Sequence, residues 1–410
     1  MLEKISRLQA KSAQWYQAAI ALAEKTGAIA PLVTSLALMT LGTIAPAQAA
    51  SLYAIAELPF QPVDINDRSQ IVGEQFLWDA GNVTDLRTLP GANDSPISAR
   101  AINNEGTIVG GGLNVGSSSS QSFKSDGSSI TPLPQLPFCS NNVCSLNFAE
   151  DINDAGVVAL NFDGRSAYVQ QPDGTLDLAF SFGTPGISVG AINNQGEVVG
   201  SIPTTGRGSP GLGTLYAEDR TTFLRGPGYC DPFTSPFCFS AATVATDINE
   251  LNSVVGFGPV GEPSFSTPVH ALFWEDPKNN SGNSTLNPFI GTDLGTLGGN
   301  SSRANGINDF TQIVGTSSLA TGTTQHAFLW EEGEMFDLNS LLADSAGWEL
   351  TEALEINTSG QIIGSGLLNG EQRGFVLTPV PEPNSTLGLL GFAALGIGFW
   401  LKRQQQKSAL

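Results

Sequence analysis

The chain has 410 residues, 40% of them hydrophobic, with 47 Gly and 24 Pro; it can bury a large core but has little room for long helices in its middle. Lys and Arg number 18 against 38 Asp and Glu, and the stretch between the two terminal segments carries 11 basic and 35 acidic residues, a net of −24. A body that acidic repels phosphate backbones and anionic lipid, which argues against nucleic acid as a partner.

The N-terminal residues 1–49 read as a signal peptide. Lys4, Arg7, Lys11 and Lys25 precede an apolar stretch from Ala28 to Ala45, which ends in Pro46-Ala47-Gln48-Ala49. Small residues at Ala47 and Ala49 mark a cleavage site. A retained membrane anchor or a misplaced start codon is the alternative.

From residue 51 to 379 one pattern recurs, Ile-Asn-x-x-Gly-x-Ile/Val-Val-Gly, cleanest at Ile192–Gly200. Its seven copies begin at Ile65, Ile102, Ile152, Ile192, Ile248, Ile307 and Ile356, spaced 37, 50, 40, 56, 59 and 49 residues apart. Each copy predicts a hairpin: a strand ends on Ile-Asn, an Asn/Asp-x-Gly turn reverses the chain, and a β-branched run leaves. Asn and Asp cap such turns, and Gly takes the position of positive φ. After each hairpin comes a short aromatic strand, such as Gln75–Trp78, His270–Trp274 or His326–Trp330. A fourth strand of the Thr292-Asp293-Leu294 type then leads to the next Ile-Asn. Four antiparallel strands per copy is a propeller blade.

The phase of the cycle separates a ring from an open stack. The last copy stops at Thr378-Pro379 without its fourth strand, while an unclaimed strand of that type, Tyr53–Pro59, stands at the front. The expected fold is therefore all-β: a seven-bladed β-propeller closed by the N-terminal strand, flanked by an N-terminal signal helix and a C-terminal transmembrane helix. A β-solenoid or a pair of sandwiches is the alternative.

Four cysteines form two close pairs, Cys139 with Cys144 and Cys230 with Cys238, inside proline-rich inserts. Their spacings match no common zinc site and neither His lies near them in sequence, so local disulfides in an oxidising compartment are expected.

At the C-terminus, Val380-Pro381-Glu382-Pro383 precedes an apolar run, Leu387–Leu401, then Lys402, Arg403 and Lys407. Fifteen apolar residues form a short transmembrane helix with its positive charges inside. Residues 380–407 closely resemble the PEP-CTERM sorting signal of Gram-negative bacteria, with Pro381, Glu382 and Pro383, the apolar segment and the basic cluster in register. That resemblance implies processing by an exosortase, transient anchoring in the inner membrane, delivery to the cell surface or matrix, and an association with exopolysaccharide and biofilm. The body resembles the HAF family of extracellular repeats, named for a His-Ala-Phe tripeptide. His326-Ala327-Phe328 matches in full, His270-Ala271-Leu272 departs at its third residue, and the other copies lack the His. The family implies an exported β-repeat protein and supplies no catalytic residues.

No nucleophile motif, phosphate loop or redox pair is present. His270 and His326 occupy the same slot in two copies, which favours a structural role over a general base. Trp348 stands out of phase and is a candidate exposed ligand contact. The runs at Asp64, Asp151 and Asp247 carry oxygens at calcium-loop spacing, but the third ligand and distal Glu are missing, so turn chemistry is preferred and no cofactor is expected. The reading is a non-enzymatic scaffold or binding module in an extracellular polysaccharide matrix. A propeller hydrolase or lyase acting on polysaccharide, or a glycan-binding lectin, is the alternative.

Overall fold

The computed structural model describes residues 53–380, apart from 115–119, 135–146, 163–164, 182–185, 204–210, 219, 228–242, 262–267, 278–288 and 323. The signal segment, all four cysteines and the tail from residue 381 onward lie outside the described residues, so the expected signal helix, disulfides and transmembrane helix do too.

The described residues form an all-β propeller. Its sheets are antiparallel groups of strands following in chain order, the first strand of each ending on an Ile-Asn copy. Four sheets have four strands: they begin at Asp64–Ile65, Ser98–Ile102, Asn147–Ile152 and Trp348–Ile356. A fifth begins at Ser188–Ile192 and gains Phe289–Ile290 as a parallel edge strand. The last contains the groups beginning at Val244–Ile248 and Gly298–Ile307, joined by one parallel bridge from Val269 to Ser301.

The hairpins fold as the repeat predicts. Gly106, Gly156, Gly196 and Gly360 take positive φ at the turn, and where a copy lacks Gly the backbone holds the same conformation in Ser69, Asn252 and Thr311. The last Gly of the motif has a different cause. In six groups the first strand shifts register just before its Ile, as between Ala99 and Ala101 or Ala245 and Asp247. Such a bulge brings two consecutive residues to one side of the strand. Separately, the backbones lie close at the motif's last Gly, where a Cβ on Gly73, Gly110 or Gly256 would lie about 2 Å from the carbonyl oxygen of Gln61, Ser98 or Val244. The third copy carries Leu160 at this place and keeps the bulge.

Apolar residues from adjacent groups form the core. Phe328 of one group packs with Val255 and Ala271 of the preceding one, and Phe375 joins Val314 and Leu329. The aromatic strands supply these contacts. Trp274 and Phe328 are fully buried, and Phe273 stacks on Trp330 of the next group with centroids 6.3 Å apart. Each fully buried aromatic contributes roughly 2–3 kcal/mol.

Fourth strands vary in length: Leu176–Ser181 and Arg220–Arg225 run six residues, while others are cut short. Asn82–Asp85 and Glu334–Asp337 end where the Asp side chain accepts a hydrogen bond from the backbone two residues on, turning Leu86–Thr88 and Leu338–Leu341 into 3-10 helices. Thr292–Asp293 is a strand of only two residues.

The first and last described strands meet as the phase of the repeat requires. Tyr53–Leu58 pairs antiparallel with Gly374–Pro379, Tyr53 opposite Pro379 and Leu58 opposite Gly374. Closure leaves no place for the open solenoid. Tyr53 is buried with Trp348 and Leu377, and Leu58 with Ile71 and Ile363. Deleting residues 51–58 should therefore strip the edge strand and open two cores at once. The expected result is a melting temperature lower by more than about 10 °C and loss of cooperative unfolding. An unchanged melt by circular dichroism would show that the ring does not depend on this strand.

Candidate functional site

The Ile-Asn turns gather around one axis, where Ile102, Ile192, Ile248, Ile307 and Ile356 border a cavity of about 400 Å³. The repeat explains itself there. The seven Asn residues form a closed circuit in which each side-chain amide donates to the backbone carbonyl of the Asn in the next copy. Asn66 Nδ2 reaches Asn103 O at 2.9 Å, Asn103 reaches Asn153 at 2.9 Å and Asn153 reaches Asn193 at 3.0 Å. Asn193 reaches Asn249 at 3.4 Å, Asn249 reaches Asn308 at 3.1 Å and Asn308 reaches Asn357 at 3.1 Å. Asn357 closes the circuit onto Asn66 at 3.1 Å, across 291 residues of chain.

The same side chains hold their own turns. Asn193 Oδ1 accepts from the backbone of Gln195 and Glu197, and Asn308 Oδ1 from Phe310 and Gln312. In four copies the amide also donates to the side chain four residues on, Gln70, Glu197, Gln312 or Gln361. In six of the seven copies the backbone N–H of the residue after Asn adds a second link in the same direction. Asp67 N donates to Asn104 Oδ1, Asn104 N to Asp154, Asp154 N to Asn194, Asn194 N to Glu250, Glu250 N to Asp309, and Thr358 N to Asp67.

The residue before each Ile faces the axis. In chain order these are Asp64, Ala101, Asp151, Ala191, Asp247, Gly306 and Glu355, an acid alternating with a small residue. Each Asp uses both oxygens on backbone N–H groups, one from its own Ile and one from the Ile of the next copy. Asp64 caps Ile65 and Ile102, Asp151 caps Ile152 and Ile192, and Asp247 caps Ile248 and Ile307. Glu355 caps Ile356. Three carboxylates thus serve six N–H groups, and the copy left over by an odd count has its own.

Below the turns these acids line a cavity of about 220 Å³, together with the bulged residues Arg100, Glu150 and Thr246. Burial away from bulk water pushes Asp64 up to about 6 and Asp247 up to about 7, against the two N–H donors that favour the charged form. Asp151 is raised well above the usual carboxylate range by burial and then by Asp64, and Glu355 by burial and then by Asp247. Burial also raises Glu150, against the pull of Arg100, whose guanidinium stands 3.8 Å away.

The structure sorts the residues singled out in the sequence. Asp64, Asp151 and Asp247 come together at the axis, and their two oxygens are engaged by backbone rather than arranged around an ion. No group of three or more His, Cys, Asp or Glu with metal-binding geometry occurs among the described residues. His270 and His326 sit in third strands and pair with Asp on the fourth, at 2.9 Å to Asp293 and 2.7 Å to Asp337. Trp348 corrects an expectation. It is 8% exposed, edge-on to Phe375 at 5.9 Å, so its indole fills the core of the last group instead of meeting a ligand. Its out-of-phase position follows from the longer first strand, Trp348–Ile356. Glu355, Arg100 and Glu150 were not singled out in the sequence. The signal for Glu355 was the residue preceding each Ile, which becomes informative only once the bulge turns it inward.

Comparison with known proteins matches residues 379–404 to the PEP-CTERM protein-sorting motif. No curated protein matches the chain. Among solved structures, the chain is similar to one described as YCF48 bound to D1 peptide, at 14% identity and a TM-score of 0.48, covering 82% of this chain and 98% of that one. It is also similar to an acylaminoacyl peptidase of Pyrococcus horikoshii, at 10% identity and a TM-score of 0.38, over 72% of this chain and 47% of that one. A chain of a mitotic checkpoint complex is similar at 11% identity and a TM-score of 0.38, over 83% and 99%.

Two outcomes follow from the axis. Asn153→Asp removes the donor to Asn193 and sets a carboxylate against a carbonyl, and should cost about 2–3 kcal/mol in urea unfolding. Ala155→Ser, on an exposed tip of the same turn, should stay within about 0.5 kcal/mol. Equal effects from both would dismiss the circuit as a source of stability.

Acidity supplies the other test. A carboxyl whose pKa is higher folded than unfolded takes up its proton in the folded chain first, so stability rises as pH falls through that value. With Asp64 at about 6 and Asp247 at about 7, the melting temperature should climb from about pH 8 down to about pH 5. Asp247→Ala, which places there the residue type of Ala101 and Ala191, should flatten the upper part of the climb. A melting temperature that falls steadily over this range would contradict the raised values.

Proposed function

We propose that the protein is an exported, surface-sorted repeat protein whose seven-bladed ring, one blade per Ile-Asn copy, serves as a non-enzymatic scaffold or binding module in an extracellular polysaccharide matrix. The single observation behind this is the employment of the axial acids. In propeller enzymes one-off groups at the axis must be free to meet substrate, whereas Asp64, Asp151 and Asp247 spend both oxygens capping backbone N–H groups. The sorting motif at 379–404 supplies the export and surface half of the proposal.

Within it, residues 1–49 are removed on export and the helix at 387–401 holds the chain briefly in the inner membrane of a Gram-negative cell. An exosortase acts at Pro381-Glu382-Pro383. The cysteine pairs oxidise outside the cytoplasm, and the body is a divergent set of HAF-type repeats in which only His326-Ala327-Phe328 keeps the tripeptide.

One observation favours a second reading, a hydrolase or lyase acting on polysaccharide. Glu355, Arg100 and Glu150 break the repeat beside the lower cavity, and Glu355 caps a single N–H. Incubating the purified protein with cell-surface polysaccharide and assaying new reducing ends separates the two. Turnover that Glu355→Gln abolishes would replace the scaffold with the enzyme.

The export half is tested in the cell that makes the protein. Replacing Pro381, Glu382 and Pro383 together by Ala should leave a chain heavier by its tail and confined to the membrane fraction on immunoblots. Normal processing and release of that variant would refute recognition of the motif.

A further inference from the structure

The turns that close the ring also expose two large apolar side chains. Leu251 is 58% exposed and Phe310 is 71% exposed. They occupy the third position after Ile in consecutive copies, where the other five carry Arg68, Glu105, Ala155, Gln195 and Ser359. Neither belongs to a core cluster. Neither side chain is needed for the turn, whose capping uses only the backbone N–H at this position. Scattered exposed apolar residues are ordinary, but two on adjacent turns make a patch. Both turns are pinned by their Asn, so the patch is held in one arrangement before any partner arrives.

The charge around the patch says what covers it. Each apolar residue directly follows an acid, Glu250 before Leu251 and Asp309 before Phe310, and Glu250 N bonds Asp309 Oδ1. Asp67 and Asp154 stand on the same mouth. The one basic residue at the turn tips, Arg68, is occupied by Gln70. Two such faces repel one another, which disfavours a second copy face to face, and an anionic bilayer is repelled for the same reason.

We propose that this face docks an extended cationic segment of another protein in which basic and apolar residues alternate. Its apolar side chains rest on Leu251 and Phe310, and its basic side chains meet Glu250 and Asp309. The alternation on the partner mirrors Glu250-Leu251 and Asp309-Phe310. The chain's own tail is the competing occupant, because the last described strand ends at Pro379 beside the turn at Gly360, on this same face.

The test uses the full chain in neutral detergent and a fluorescent (Lys-Leu)5 peptide, read by anisotropy against a micelle-only blank. Binding should weaken by about tenfold with Leu251→Ser or Phe310→Ser, and again when (Lys-Ser)5 replaces the probe. Val83→Ser, at an apolar residue 45% exposed elsewhere, should leave it unchanged. Both variants alter exposed side chains, so their melts should match the parent. Three results overturn the proposal. One is absence of binding, or binding that ignores both variants. Another is concentration-dependent self-association that Phe310→Ser abolishes, which assigns the patch to a second copy. The last is binding that appears only after proteolytic removal of residues 381–410, which assigns it to the tail.

Discussion

An asparagine side chain can accept hydrogen bonds from its own turn and donate to a neighbouring backbone at the same time, and the ring depends on that double use. Aspartate would keep the acceptor and lose the donor, and serine could not span from the turn to the next copy. The Asn side chains are buried among the inner ends of the strands, where an unmatched amide or carbonyl is costly. Seven such links in a circuit constrain one another. Shifting one copy along the axis would strain two links, so register is held by the set more firmly than by any single 3 Å contact.

Parity imposes the next constraint. Each first strand ends with an Ile N–H directed at the axis, and a carboxylate has two oxygens, so one Asp satisfies two neighbouring copies. Asp therefore occurs in every second copy, with Ala101, Ala191 and Gly306 between. Seven being odd, the last copy needs its own carboxylate, supplied by the longer Glu355. Four acids so close to one another would not stay together for their mutual interaction, which is unfavourable; the N–H groups they cap hold them there. Raised proton affinity at Asp64 and Asp247 is the by-product of a structural arrangement, not a sign of catalysis by itself.

These two constraints leave only certain positions free. The Asn, the residue before Ile and the positive-φ turn position are committed to the ring. The third position after Ile and the bulged residues Arg100, Glu150 and Thr246 are less constrained, although Gln195 Nε2 donates to Glu250 O and Thr246 Oγ1 to Ala304 O of the next copy. One set faces solvent at the turn tips and the other faces the inner cavity. Both sets vary from copy to copy, and Leu251 with Phe310 is where the outer set departs most from its neighbours.

Much of this was legible in the sequence. The Ile-Asn period gave the hairpins, the four-strand cycle gave the propeller, and the missing last strand predicted the pairing of Tyr53–Leu58 with Gly374–Pro379, because hydrophobic alternation and turn residues are local signals that need no knowledge of the whole. The same periodicity placed His270 and His326 in third strands and marked out the aromatic strands, but gave no sign of the Asp that each His meets. The sequence was misleading at Trp348, where a break in phase suggested exposure and a longer strand buried the ring instead. What the tertiary structure alone decided is what each repeated residue is for. Asn looks like a turn former in one copy and becomes a donor only when another copy stands 3 Å away. The alternation of acid and small residue means nothing until bulges turn those residues toward a shared axis. Contacts across 37 to 59 residues, and across 291 at closure, depend on distances in space that a local pattern does not carry.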